Sequence, residues 1–272
     1  MEIAKEIGIS IRVEKNELLH IGATESLLSE KKGSVFKFDF NSVIPASTFK
    51  GALRSSMENL LIDRHNELVS LFKLPKEEVD HIRPCIPSSS PSFAEKSLIK
   101  EIAGIKKYRG EIIGNTYKGF CEIKSTQSEI KRGKLGICPV CYFLGAHGIM
   151  GFLRIPNFIS EREDNIIDQT CIRIDRATKT AADRAKVDYE HVKPYTIFKG
   201  TIEILSFPTQ GFTFGNPRKI ENEILDTWLG HIDKCVSEEL LSHLLKPAVE
   251  NIKFIGGGKS KGAGKVEVSF EV

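Results

Sequence analysis

Two segments of the chain alternate apolar and polar residues without a break. Ile7, Ile9, Ile11 and Val13 interleave with Gly8, Ser10, Arg12 and Glu14, and Val266, Val268, Phe270 and Val272 repeat the pattern at the other end. Period two in mostly β-branched residues predicts half-buried strands. Leu53, Met57, Leu60 and Leu61 fall at i, i+4, i+7 and i+8, the stripe of one helical face. Ile44-Pro45-Ala46-Ser47 leads into that helix as a turn, with Ser47 or Thr48 as its N-cap. Lys50 and Arg54, four residues apart, share another face near its start. A further strand is predicted from near Phe198 through Ile202, Ile204 and Phe207. Ile220, Ile224, Leu225, Trp228, Leu229 and Ile232 have helical spacing. Val236, Leu240, Leu241, Leu244 and Leu245 continue a helical face until Pro247 bends or stops it.

From Asp63 to Gly136 the pattern is less regular. Pro84-Cys85-Ile86-Pro87-Ser88-Ser89-Ser90-Pro91 is a loop. Residues 95–134 carry ten Lys and Arg against five acids, and the segment reads as an insertion or a small subdomain. The order strand, helix, insertion, strand, helix, strand is the skeleton of an α+β, split βαβ or ferredoxin-like (RRM-like) fold. No internal repeat is visible.

Composition narrows the function classes. With 39 Lys and Arg against 36 Asp and Glu the net charge is +3, which excludes a grossly basic tail and leaves room for a local basic face. No apolar run approaches the roughly 18 residues of a membrane span, and Met1 to Glu6 lacks an apolar signal core. A cytosolic, that is cytoplasmic, protein with no membrane partner is expected. Six cysteines in 272 residues are too sparse for a disulfide scaffold, which leaves free thiols or metal ligands.

The most informative segment is Ile255 to Val266, with five glycines within nine residues. Such a loop lets another backbone or a phosphate approach closely. A strand follows it, where a Walker A loop requires a helix, and no histidine follows Ser260 to complete a hydrolase elbow. Free N–H groups with Lys259, Lys261 and Lys265 suit a phosphodiester backbone, or else form a solvated turn. Cys138-Pro139-Val140-Cys141 is a C-x-x-C pair, and His81 and Cys85 lie upstream. Together they make a Cys3His set of a common structural zinc type, with Cys121 and His147 as competing ligands. The alternative is a group of small buried thiols. Cys171 and Cys235 read as plain core residues. Residues 171–199 hold seven Lys and Arg against four acids, an exposed extended hairpin or loop. Candidates for acid–base or metal-assisted chemistry are His20, Glu25, Glu30 and Asp39, and no carboxylate pair has diagnostic spacing.

These residues resemble a known family in their order. Leu19-His20-Ile21-Gly22 followed by Ile44 to Arg54 is similar to the "LHIG … IPGSSLKGALR" signature of the RAMP superfamily of CRISPR-associated proteins. Cys138 to Gly145, Arg173-Ile174-Asp175-Arg176-Ala177-Thr178, Glu190 to Phe198 and Gly256 to Val266 resemble the blocks that follow, and together they cover the chain nearly end to end. The resemblance is nearest to the repeating backbone subunit of type III effector complexes. It implies antiviral defence, CRISPR RNA and target RNA as partners, other effector subunits, and head-to-tail copies along the RNA. It implies a ferredoxin-like palm (1–62 and 197–272), an insertion at 63–160 of a kind that often carries structural zinc, for which His81, Cys85, Cys138 and Cys141 are the ligands offered by spacing, and a protruding thumb hairpin (161–196). Lys50, Arg54, Gly256, Gly257, Gly258, Lys259 and Lys261 would contact guide phosphates, with Arg173, Arg176 and Thr178 at or near the thumb base. Binding would be independent of sequence. Ala46 replaces the family's glycine after Ile-Pro. The family's cleaving loop aspartate would fall near Gly33-Ser34, where no acid stands, so no catalytic residue is assigned. Two rival readings follow. One is an endoribonuclease, using a divalent metal at Glu30 or Asp39 on target RNA, or His20 on precursor RNA. The other is a zinc-stabilised RNA-binding protein of another kind.

Overall fold

The computed structural model describes residues 1–22, 33–100, 106–126, 129–132, 136–163, 165–221 and 223–271. They form a mixed α/β chain with antiparallel pairing, divided into two compact units. One is Met1–Glu6, Leu53–Arg154 and Glu203–Ala248; the other is Ile7–Ala52, Ile155–Ile202 and Val249–Val272.

Strand β1 (Glu2–Val13) buries Ile9, Ile11 and Val13, as its alternation requires. The short β2 (Lys37–Phe38) and β3 (Asn41–Ile44) pair across a turn in which Asp39 takes φ of +52°. Helix α1 (Ala46–Asp63) begins one or two residues before the expected cap. Asn157 Oδ1 accepts the Ala46 N–H at 2.8 Å, so a side chain from a distant segment caps the helix. Its first turns lie in the second unit, where the Phe49 ring meets Phe158 at 4.5 Å. It continues into the first unit, where Leu53, Met57, Leu60 and Leu61 are buried.

The less regular segment holds α2 (His65–Leu71), a 3-10 turn at Lys76–Ile82, and α3 (Phe93–Ile99) with a Ser92/Glu95 capping box. Two small hairpins follow, β4 (Ile112–Ile113) with β5 (Thr116–Tyr117) and β6 (Ile123–Thr126) with β7 (Glu129–Arg132). A small apolar cluster of Ile86, Ile99 and Tyr117 supports this region. Helix α4 (Pro139–Leu144) is buried along its whole length. After β8 (Leu153–Arg154) and β9 (Phe158–Ser160), β10 (Ile166–Ile174) and β11 (Ala181–Val192) form a long hairpin. Residues 167–174 of β10 are exposed, so Cys171, expected in the core, faces solvent; Cys235 is exposed as well.

Strand β12 (Ile197–Ser206) is central in a seven-stranded sheet of order β15-β1-β12-β9-β3-β2, where β15 is Val266–Phe270. β15 runs antiparallel to β1 from Ile9↔Phe270 to Val13↔Val266, and β9 is antiparallel to both β12 and β3. The far end of β12 pairs with β8 through Glu203↔Arg154.

One helical expectation needs correction, and of the two outcomes expected at Pro247 the stop is excluded. Residues 220–232 form β13 (Lys219–Ile220), β14 (Glu223–Ile224) and a 3-10 turn at Thr227–Leu229 instead of a helix. The cause is a buried ion pair. Asp226 takes the Arg218 guanidinium at 2.7 and 2.9 Å and the Arg218 N–H at 2.8 Å. A helix would hold residues eight apart at roughly 12 Å. Past Val236 the chain runs as α5 (Ser237–Leu240), a π-helical turn at Leu241–Leu245 and α6 (Lys246–Glu250), so Pro247 lies inside the helical run. The wider turn makes room for the proline ring. The His243 carbonyl, four residues before Pro247, accepts from Arg64 Nη1 at 3.3 Å.

Candidate functional site

The glycine-rich loop is built against the segment Leu18–His20. Gly257 N–H donates to the His20 carbonyl at 2.9 Å, and Gly264 N–H donates to the Leu18 carbonyl at 2.7 Å. Gly256 has φ of +80°, and a Cβ there would stand 2.3 Å from the His20 carbonyl oxygen. The glycine is therefore required both by its dihedral and by the close approach. Lys259–Lys261 forms one exposed 3-10 turn between left-handed Gly258 and Gly262. Among the described residues Lys259 and Lys261 have no ion pair, whereas Lys265 meets Glu14 at 3.0 Å. A rigid base thus carries two solvent-facing ammonium groups.

The same base continues into β11. Leu19 and Val192 exchange backbone hydrogen bonds at 3.1 and 2.7 Å. His20 Nδ1 stands 2.8 Å from the Glu190 carbonyl oxygen, and the Glu190 carboxylate takes Lys37 Nζ and the Val35 N–H, each at 3.0 Å. The His191 ring lies 5.3 Å from that of His20. Burial lowers the His191 pKa, and the neighbouring His20 lowers it further. His191 is a member of this site that residue patterning does not single out; the signal available is its place in the Glu190–Phe198 block. Asp39 is exposed in its turn, while Glu25 and Glu30 lie outside the described residues.

At the hairpin tip Asp175 accepts the Ala177 and Thr178 N–H groups at 2.8 and 3.0 Å, which holds its carboxyl below the usual range. Arg173, Arg176 and Thr178 are exposed around this turn. They belong to the tip of the β10–β11 hairpin rather than its base, since Asp175–Thr180 connects the two strands.

The cationic pair on α1 divides. Lys50 is exposed. Arg54 turns inward, with Nη1 3.9 Å from Cys141 Sγ, Nη2 3.4 Å from the Gly145 carbonyl, and Glu58 3.9 Å away. Burial alone would lower its pKa, but Cys141, Cys138 and Cys85 together raise it.

Cys141 is one of four buried cysteines, with Cys85, Cys121 and Cys138, whose sulfurs all lie within 4.8 Å of one another. Pro139 at the first turn of α4 fixes the helix just after Cys138 and brings the C-x-x-C sulfurs to one end. Cys85 Sγ is 3.6 Å from Cys141 Sγ and 3.7 Å from Cys138 Sγ. Four thiolates at ~2.3 Å from a tetrahedral zinc ion have sulfurs roughly 3.8 Å apart, so the donor set suits that ion in kind, number and spacing. The fourth position here belongs to Cys121, and the expected Cys3His set is corrected on that point. His81 sits on the 3-10 turn with Nδ1 directed to Glu78 at 3.5 Å, and His147 is exposed. Burial pushes the Cys138 thiol up, but the other three thiols and the Arg109 guanidinium outweigh this and hold it well below its ordinary value. Arg109 itself is fully buried, donating to Cys121 Sγ at 3.0 Å and to the Gly119 and Gly136 carbonyls. Sequence reasoning gives no role to Arg109, since a lone arginine among ten cationic residues carries no periodic signal.

Comparison with known proteins agrees with the motif order. The model of the RAMP superfamily matches residues 17–267, and the chain belongs to that superfamily. No curated protein matches it. Among solved structures, it is similar at 12% identity and a TM-score of 0.45 to a chain of "Cryo-EM structure of the Type III-B Cmr-beta bound to cognate target RNA". That similarity covers 98% of this chain, which spans 59% of the other's length. Among the described residues no helix is long and apolar enough to cross a membrane.

Proposed function

We propose that this chain binds a guide RNA along its phosphates, as a backbone subunit of a type III CRISPR effector complex acting in antiviral defence. The observation that carries the reading is the Gly256–Lys261 loop. Gly257 within it and Gly264 just beyond it hydrogen-bond to the His20 and Leu18 carbonyls, and Lys259 and Lys261 are exposed on it. Ammonium groups on a fixed backbone position a phosphodiester chain without reading its bases. Membership of the RAMP superfamily supports the same reading. In this proposal residues 1–62 and 197–272 make a ferredoxin-like palm, 63–160 the insertion, and 161–196 a thumb. Lys50, Gly256, Gly257, Gly258, Lys259 and Lys261 face the guide, and Arg173, Arg176 and Thr178 meet RNA at the hairpin tip. Partners are CRISPR RNA, target RNA, other effector subunits and further copies of this chain in the cytoplasm. The thiol group holds zinc in a structural role, as its buried position and four-sulfur donor set favour.

The test is RNA affinity of the Lys259→Ala/Lys261→Ala double variant, by fluorescence anisotropy on mixed-sequence single strands across a salt series. Affinity falls alike for all sequences, and the slope of log K against log salt decreases by about 0.7 for each phosphate no longer neutralised. A decrease confined to some sequences, or an unchanged slope, refutes the phosphate role. Sequencing the RNA that copurifies from the native host separates CRISPR-derived guides from a diverse population, which would leave RNA binding without the CRISPR assignment.

A further inference from the structure

The four-cysteine group has an unusual electrostatic setting. Zinc bound by four thiolates carries a net charge of −2, which is costly in a buried site unless positive groups lie against it. Two guanidinium groups do. Arg109 Nη2 is 3.0 Å from Cys121 Sγ, and Arg54 Nη1 is 3.9 Å from Cys141 Sγ, so they approach two different sulfurs. Arg109 is fully buried, and its guanidinium meets the Cys121 sulfur and two backbone carbonyls. A neutral set of thiols would offer this buried cation little counter-charge.

The path that delivers Arg109 is itself specialised. Its Nε and Nη2 donate to the Gly119 and Gly136 carbonyls, and Tyr117 Oη donates to the Arg109 carbonyl at 2.5 Å. Gly110, at φ of +78°, crosses Gly119 so closely that a Cβ would lie 2.3 Å from its Cα. Backbone and side chain are therefore both fixed, and the guanidinium is aimed at the sulfurs. Arg54 arrives from α1 and is held by the Gly145 carbonyl, just past the end of the helix that carries Cys138 and Cys141.

We propose that Arg109 and Arg54 are the counter-charges of a tetrathiolate zinc centre, and that Arg54 serves this centre instead of the RNA backbone. The inference rests on the proposal that the four thiols hold zinc. The metal, its four thiolates and the two guanidinium groups sum to zero, and Glu58, 3.9 Å from Arg54 with its pKa raised to about 7, adds a negative charge only as it ionises above that pH. The two arginines thus act on the metal through the sulfurs, as positioning residues for charge. Arg54 is thereby distinguished from Lys50, its exposed neighbour one turn earlier.

The experiment measures zinc on the full-length chain. Wild type is assayed for bound zinc by elemental analysis, and for zinc affinity by competition with a chromogenic chelator. Arg54→Met, Arg54→Lys and Arg109→Lys are compared with it, and zinc-loaded Arg54→Met is also tested for affinity to a mixed-sequence RNA. The expected result is one zinc in wild type and a roughly 10–100-fold weaker affinity in Arg54→Met. Arg54→Lys restores most of it, and RNA affinity of zinc-loaded Arg54→Met stays within about twofold of wild type. Arg109→Lys keeps the charge while avoiding an uncharged cavity, and weakens zinc less than Arg54→Met. Zinc affinity in Arg54→Met equal to wild type overturns the counter-charge role. Weakened RNA binding by the zinc-loaded variant returns Arg54 to the RNA and overturns the second half. Absence of zinc from wild type, with RNA binding intact, removes the metal reading itself and is recognised before any variant is made.

Discussion

Replacing Gly256 by alanine tests the loop on which the functional reading depends. Gly256 adopts φ of +80°, and the added Cβ would lie 2.3 Å from the His20 carbonyl oxygen and 3.2 Å from its carbon. The first feature costs an L-residue about 1–2 kcal/mol. The second cannot be relieved by a side-chain rotation, because the obstacle is backbone. The loop must lift, and the Gly257 N–H to His20 hydrogen bond at 2.9 Å breaks with it, at a further cost of about 1 kcal/mol. Reduced freedom of the unfolded chain returns about 0.4–1 kcal/mol. The net expectation is a destabilisation of about 1–2.5 kcal/mol, together with weaker RNA binding. Gly262 supplies the internal control. Its φ is +76°, but a Cβ there meets nothing within 4 Å. Gly262→Ala should therefore show the dihedral cost alone, about 1 kcal/mol or less once the unfolded-state effect is counted. Urea unfolding of both variants gives the difference, and RNA anisotropy on the folded proteins gives its functional consequence. Equal destabilisation at the two positions would refute the close-approach argument, and full RNA affinity in a destabilised Gly256→Ala would separate the loop from RNA.

Asp226→Asn leaves the fully buried Arg218 without its carboxylate and is expected to cost about 3–5 kcal/mol, whereas Glu203→Gln, opposite the half-exposed Arg154, costs about 1 kcal/mol or less. Equal midpoint shifts in urea would overturn that contrast. Burial raises the Glu58 pKa from 4.5 to about 7, against the opposing influence of Arg54 and the Tyr108 hydroxyl. The folded state thus keeps a proton that the unfolded state releases between those values, and stability falls as pH rises through that window and levels off above it. Glu58→Gln removes this dependence, so its advantage over wild type grows by up to about 3 kcal/mol from roughly pH 4 to pH 8; a constant difference across that range in urea midpoints would refute it. Cys121→Ser is expected to lower zinc content and thermal stability together, while Cys171→Ser, on the exposed hairpin, changes neither. Full zinc content in Cys121→Ser would return the fourth ligand position to His81.

Much of the scaffold is legible from the chain alone. The alternations at 7–13 and 266–272 become the paired strands β1 and β15, and the Leu53–Leu61 stripe becomes the buried face of α1. The glycine-rich loop and the C-x-x-C pair are also visible, because glycine frequency and ligand spacing are local properties. The helix expected over 220–232 fails because spacing cannot register the Arg218–Asp226 pair, which folds that segment back on itself. Pro247 does not stop its helix, because the π-turn and Arg64, a residue far away in sequence, accommodate it. The same limit governs the sites. Periodicity decides which face of an element is buried, but the partner of a charge or a sulfur is decided by segments brought together across the chain. Sequence therefore places Arg54 beside Lys50 on a cationic face, and only the tertiary structure turns it toward Cys141. Sequence offers His81, Cys121 and His147 as rivals for one position, and the choice of Cys121 follows from the three-dimensional path of residues 109–121, which no spacing rule encodes.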